Sequence, residues 1–238
     1  MTGLQLKMIA LLLMFIDHIG ALFMAPGSGI WLLARGLGRL SFPLYAYLAS
    51  QGIRHTHDAG AYCRRLLVFA FLSEFPFDLV CCGYVPAFVH QNVFFTLAFA
   101  VAAFLPWKVQ ASESEQCRQR WKLKVAIFPI LCMGVAAQFI HADYGLLGVL
   151  LIGGMVSADG SLAVMLTFVW CFLFLKTGWL VPDPLQRMAV SAATALVWTW
   201  TVGMDNGRPG DKKWRKWFYV AYPVHLAALW CLRMFLSD

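Results

Sequence analysis

The sequence predicts an all-α fold: a polytopic integral membrane bundle of about nine transmembrane helices, with its N-terminus in the cytoplasm. Three observations lead there. Of 238 residues, 61% are hydrophobic and 13% charged, and the mean hydropathy is +0.68; a soluble domain has about 45–50% apolar and about 25% charged residues. The apolar residues collect into runs near the length that spans a bilayer, about 20 residues each. The Lys and Arg behind the net charge of +7 lie mostly between those runs. Together these exclude a soluble globular domain, a disordered chain and a nucleic-acid-binding module. No stretch is left for a separate extramembrane domain of about 50 residues, so 1–238 reads as one domain.

The runs are 6–24, 31–52, 64–82, 90–107, 124–140, 144–157, 161–179, 185–203 and 216–236. The first has Lys7 near its start, like a signal peptide, but Asp17 and His18 interrupt its apolar region. At about 19 residues it covers roughly 28 Å, and it reads as a retained span. The second carries Arg35 and Arg39, and the third carries Glu74 and Asp78 with Pro76 between them as an expected kink. The fourth opens with His90, Gln91 and Asn92. The sixth is short and reads as tilted or re-entrant. The last holds Tyr222 and His225 near its middle. Trp31, Trp107, Trp121, Trp179, Trp214 and Trp217 fall near run ends, where interfacial anchors belong.

The loops alternate in charge. Those around Arg54, Arg64 and Arg65, around Lys108, Arg118, Arg120, Lys122 and Lys124, and around Arg208, Lys212, Lys213, Arg215 and Lys216 are basic. Those at 25–30, 83–89, 141–143 and 180–184 carry no Lys or Arg. The positive-inside rule then places the N-terminus inside and the C-terminus outside.

Ionisable residues within spans cost several kcal/mol unless paired or hydrated, so they mark function by default. Counting residues along opposed helices puts Asp17, His18, Arg35, Arg39, Glu74, Asp78 and His90 at one depth in the outer half. An Arg pair and a carboxylate pair at matched depth are natural partners. A network kept only for helix register needs no histidine, whereas membrane-embedded His18 and His225 beside carboxylates and Asn92 suggest proton chemistry. Asp17 and His18 are adjacent, so they point about 100° apart and do not pair with each other. If a carboxylate orients His18, Glu74 or Asp78 is the better candidate, and Asp17 then pairs with an Arg or caps a separate polar pocket.

Other signals weigh less. Arg54-His55-Thr56-His57-Asp58 resembles a metal cluster but reads as solvated loop. His141 and Asp143 read as surface residues of a short outer loop. Seven cysteines, with no CxxC pair, give no disulfide framework and no zinc site. The segment Asn206-Gly207-Arg208-Pro209-Gly210-Asp211-Lys212-Lys213 combines turn residues with cations. Such a loop suits the phosphates of a nucleotide-like ligand arriving from the cytoplasm, although topology alone would also place cations there.

The chain also resembles the TraX family. The resemblance lies in Lys7-Met8-Ile9 with Ile16-Asp17-His18-Ile19-Gly20, in Gly38-Arg39-Leu40-Ser41-Phe42-Pro43-Leu44, and in Gln51-Gly52-Ile53-Arg54-His55-Thr56. It continues through Ser73-Glu74-Phe75-Pro76-Phe77-Asp78-Leu79, Gln91-Asn92-Val93-Phe94-Phe95-Thr96-Leu97, Asn206-Gly207-Arg208 and Tyr222-Pro223-Val224-His225-Leu226. It implies a multi-pass bacterial inner-membrane acetyltransferase that takes acetyl-CoA as donor and needs no metal. The implied acceptor is the N-terminal amine of a conjugative pilin; another envelope amine or hydroxyl, such as a surface glycan, is the alternative. The residues carried over by the resemblance are Asp17, His18, Arg39, Glu74, Asp78, Asn92 and His225.

On this reading His18 is general base or transient acetyl carrier, and Arg39 with Asn92 stabilises the thioester oxyanion. Glu74 or Asp78 orients the site, and His225 is a second proton-handling group. Asn206, Arg208, Lys212, Lys213 and Arg54 bind the donor from the cytoplasmic side. The partners implied are the acceptor, acyl-CoA and the lipid bilayer, with no nucleic acid. The rival readings are a proton-coupled transporter, against which stands the missing internal repeat, and a non-catalytic pilus assembly factor.

Overall fold

The structure is a computed structural model that describes residues 1–106, 124–157, 160–177, 184–207 and 214–237. The described residues are all-helical, with no β-strand beyond one isolated bridge between Gln91 and Ala142.

Helix α1, Gly3–Phe23, starts where Thr2 accepts from the Gln5 N–H at 3.3 Å and Gln5 returns a bond to the Thr2 N–H at 2.8 Å. This reciprocal cap satisfies two N–H groups that the first helical turn leaves unpaired. Ser28 caps α2, Gly29–Gly38, by accepting from the Trp31 N–H at 3.2 Å. Helix α3, Ser41–His55, follows at once.

The single span expected over 31–52 is therefore two helices, and the reason is local. The Arg39 N–H is shared between the Arg35 and Gly36 carbonyls at 3.2 Å each, and the Leu40 N–H bonds Leu37 at 3.1 Å. The chain tightens to shorter-range bonds just where Pro43 cannot donate back to Arg39.

Asp58 caps α4, Ala59–Cys81, accepting from the Ala61 N–H at 2.7 Å. The helix continues through Pro76 without interruption. Asn92 caps α5, Val93–Ala102, accepting from the Phe94 N–H at 3.0 Å, so this element is shorter than the expected 90–107. The remaining helices are α6 Lys124–Phe139, α7 Gly145–Ser157, α8 Gly160–Thr177, α9 Pro184–Gly203 and α10 Arg215–Ser237.

By length and composition, α1 and the Trp217–Leu236 part of α10 are able to cross a membrane. Other apolar helices, such as Val93–Ala102 and Gly145–Val156, are shorter. Large apolar side chains nonetheless face outward on several elements: Phe71, Phe128, Trp200 and Phe235 are 69–82% exposed.

The core lies between α3, α5 and α7, where Phe42, Ala46, Ile53, Val101, Val149 and Ile152 are buried. Glycines set the close approaches. A Cβ on Gly20 would stand 2.8 Å from the Ala34 Cβ, so only glycine lets α2 lie this close to α1. Gly38, at the far end of α2, presses on the Asp17 side chain in the same way.

Among the described residues, hydrogen bonds join loops at two ends of α1. At one, the N-terminal ammonium of Met1 donates to the Met204 carbonyl, and the Asn206 N–H donates to Met1 at 2.8 Å. At the other, Gln91 donates to the His141 carbonyl at 3.0 Å, and the Asp143 N–H donates to Gln91 at 2.7 Å. The loops 83–89 and 141–143, which carry no Lys or Arg, therefore share the second end.

Candidate functional site

Near the end of α1 two adjacent residues part company, as helical geometry requires. Asp17 turns toward α2, where Arg35 Nη1 donates to its Oδ2 at 2.7 Å and to its backbone carbonyl at 3.4 Å. The close α1–α2 packing at Gly20 and Gly38 makes this reach possible. Arg39, one turn beyond Arg35, lies within Coulombic range of the same carboxylate.

His18 turns the other way, to α10. Its Nδ1 is 2.9 Å from His225 Nε2. The His225 ring is wedged by Tyr222, edge-on at 5.4 Å between centroids, and by Phe15 at 5.9 Å. This overturns the expectation that Glu74 or Asp78 would orient His18. The carboxylates stand on α4, whereas the middle of α10 brings His225 to the histidine.

Asp17, His18, Arg35 and Arg39 line one cavity of about 410 Å³. Its wall is completed by Tyr222 and Arg233 from α10, by His90 and Asp143 from the two joined loops, and by Tyr144. His90 Nε2 lies 3.5 Å from Asp143 Oδ1. That hydrogen bond and the carboxylate's charge hold the His90 imidazolium above its ordinary pKa. Tyr144 stacks on Phe42 at 3.8 Å between centroids. It holds φ at 64° beside His141 at 57°, a left-handed backbone that is costly for a bulky side chain.

Glu74, Asp78 and Asn92 are adjacent to this cavity without lining it. The Asn92 carboxamide donates to the Ala70 carbonyl at 2.8 Å and to Glu74 Oε2, while its oxygen caps α5. Asp78 Oδ2 accepts from the Ala87 N–H at 2.7 Å. The anticipated meeting of an Arg pair with the Glu74–Asp78 pair is thus replaced: Arg35 takes Asp17, and the α4 carboxylates brace the chain at 87–92. One buried oxygen each on Asp17, Glu74 and Asp78 has no hydrogen-bond partner among the described residues.

Of the expected donor-binding residues, Arg54 and Asn206 are among the described ones. Arg54 donates through Nε to the Val156 carbonyl at 3.0 Å and through Nη2 to Met155 at 2.6 Å. Its cation thereby caps the C-terminus of α7, where the helix dipole favours positive charge. Asn206 sits against Met1. Arg208, Lys212 and Lys213 lie outside the described residues.

Sequence reasoning missed Asp143, Tyr144 and Arg233. In sequence Asp143 reads as a surface residue; beside the parallel bridge between Gln91 and Ala142 it lines the cavity instead. The Asp-Tyr-Gly step before α7 was the available signal. Arg233 lies near the end of α10, and no sequence motif marks it.

Comparison with known proteins agrees with the motifs. The model of the family described as TraX protein matches residues 2–233. The chain is similar to the probable fimbrial assembly protein FimC, serogroup H1, of Dichelobacter nodosus. The two are 28% identical over 254 residues, covering 99% of this chain and 97% of that one. It is 29% identical to protein TraX of Escherichia coli over 241 residues, covering 96% and 86% of the two chains. No solved structure matches.

Proposed function

The chain belongs to the TraX family, and from that premise we propose that it is a multi-pass inner-membrane acetyltransferase. The donor is acetyl-CoA and the acceptor the N-terminal amine of a pilin. The observation that carries the reading is the His18–His225 pair at a cavity that also gathers Asp17, Arg35 and Arg39. A base, a cation able to face a developing oxyanion and a space for two reactants are what acyl transfer requires.

In the proposed reaction the acceptor amine attacks the thioester carbonyl while His18 takes its proton. The C–N bond forms and the C–S bond breaks; the imidazolium then protonates the departing thiolate. Arg39 faces the oxyanion. Asn92, whose carboxamide is engaged by Glu74, Ala70 and Phe94, supports the wall instead of the reacting atoms. Asn206, whose N–H bonds Met1, and the cations Arg208, Lys212 and Lys213 that follow it in sequence hold the donor's phosphates. The relatives' names, fimbrial assembly and TraX, support a pilin as acceptor.

Intact-mass measurement of pilins from cells with and without the gene tests the reading. The expected difference is about 42 Da, the mass an acetyl group adds as a covalent modification. Unchanged pilins with loss of acetyl from a surface glycan would move the acceptor. Proton-driven solute uptake in proteoliposomes, with no acetyl-CoA binding, would replace the enzyme with a transporter.

A further inference from the structure

We propose that His225 is a positioning residue that holds His18 in the tautomer protonated on Nδ1, leaving His18 Nε2 as the basic nitrogen at the cavity. The role in catalysis rests on reading His18 as the base of acetyl transfer; the tautomer itself follows from donor and acceptor chemistry with both rings neutral.

The chain of assignment starts at a group with no choice. A backbone carbonyl oxygen accepts hydrogen bonds and never donates. His225 Nδ1 is 3.0 Å from the Ala221 carbonyl, so Nδ1 carries the hydrogen. A neutral imidazole has one N–H, so His225 Nε2 is a bare acceptor. That nitrogen is 2.9 Å from His18 Nδ1, and two lone pairs do not approach so closely. His18 Nδ1 therefore donates, and the one nitrogen left without hydrogen is its Nε2. His18 lines the cavity, and with its Nδ1 edge turned to α10 the opposite edge is the reactive one.

Ring geometry agrees. The centroids stand 5.1 Å apart with planes at 27°, while the two nitrogens are 2.9 Å apart. The rings thus meet edge to edge, as an in-plane hydrogen bond demands. His225 is only 8% exposed and wedged by Tyr222 and Phe15, so it has little freedom to rotate away. When Nε2 accepts a proton, the new imidazolium still donates through Nδ1 to His225, and His225 still donates to Ala221. No ring has to turn during the reaction. This is the part a carboxylate plays behind the histidine of a hydrolase triad, filled here by a neutral imidazole backed by a helix carbonyl.

The test is nitrogen-15 NMR of histidine-labelled protein in detergent, with the His18 signals identified by their loss in His18→Gln. The unsubstituted protein should show His18 protonated at Nδ1 and bare at Nε2. In His225→Gln the carboxamide oxygen replaces the Nε2 acceptor, so the tautomer and most of the turnover should persist. In His225→Leu the His18 proton should move to Nε2. There kcat should fall about 10²-fold, with KM for acetyl-CoA unchanged. An Nε2-protonated His18 in the unsubstituted protein would overturn the proposal. So would a His225→Leu protein that kept parental turnover. If the leucine variant does not fold, the spectra of the parent and the glutamine variant still decide. If the protein transfers no acetyl group at all, the nitrogen shifts report the tautomer regardless, which separates the two failures.

Discussion

Asp17 and His18 are chain neighbours with different partners on different helices. Asp17 bonds Arg35 on α2 at 2.7 Å, and His18 meets His225 on α10 at 2.9 Å. Their substitution should therefore fail in different ways. His18→Ala should abolish acetyl transfer while leaving melting temperature and acetyl-CoA affinity near parental, because it removes the base and no charge. Parental turnover in that variant would rule out His18 as the base. Arg35→Ala should destabilise the fold by about 3 kcal/mol, since it strands a largely buried carboxylate. The double variant Asp17→Asn, Arg35→Gln should recover much of that loss in thermal unfolding, because neither partner then carries a charge. A double variant as unstable as the single one would mean that Arg35 acts through packing rather than through the ion pair.

Among the elements, the starts of helices and the loops between them hold the cavity wall. Asn92 both caps α5 and bonds Glu74 on α4. Asn92→Ala should lower stability by about 1–2 kcal/mol, the upper range for a lost cap. Asn92→Ser, which retains a capping oxygen, should recover part of the loss in the same melts. Equal instability of both variants would show that the bond to Glu74 matters more than the cap. The two loops at the cavity end carry a titratable link. His90, in the loop before α5, has a pKa raised by its hydrogen bond to Asp143 and further by Glu74. A raised histidine stabilises fully below its unfolded value of about 6.5, and that contribution is lost as pH rises through the folded value. Melting of the parent relative to Asp143→Asn should show an advantage in mild acid that fades toward alkaline pH. An advantage independent of pH would place the link in the backbone bridge between Gln91 and Ala142.

At the scale of the molecule, the two ends differ in chemistry. Met1 meets Met204 and Asn206 at one, and the loops without Lys or Arg meet at the other. Under the proposed topology the first end is cytoplasmic, and the cavity lies toward the outer face, near an acceptor presented from outside. A single cysteine at position 211 in a cysteine-free background should be protected from a membrane-impermeant thiol reagent in intact cells and labelled after permeabilisation. Labelling in intact cells would reverse the orientation and remove the proposed donor site with it.

Helical class, the approximate helix positions and the nearness of His18, Asp17 and Arg39 to one another were readable from the chain. Apolar runs and the cost of an isolated charge are properties of composition and spacing along one strand of sequence. Neighbouring residues on α1 were also rightly separated, since 100° per residue is a local rule. Partner choice was not local. That His18 would find His225, 207 residues away, and that Glu74 and Asp78 would bond backbone and Asn92 instead, depended on which helices pack together. The break at Arg39–Leu40 required the tightened bonds before Pro43, and the inward turn of Asp143 required the Gln91–Ala142 bridge. Sequence alone determines which groups cannot be left unsatisfied in an apolar interior; tertiary packing decides which other group satisfies them, because hydrogen bonds and ion pairs act over a few ångströms and only the folded chain sets those distances.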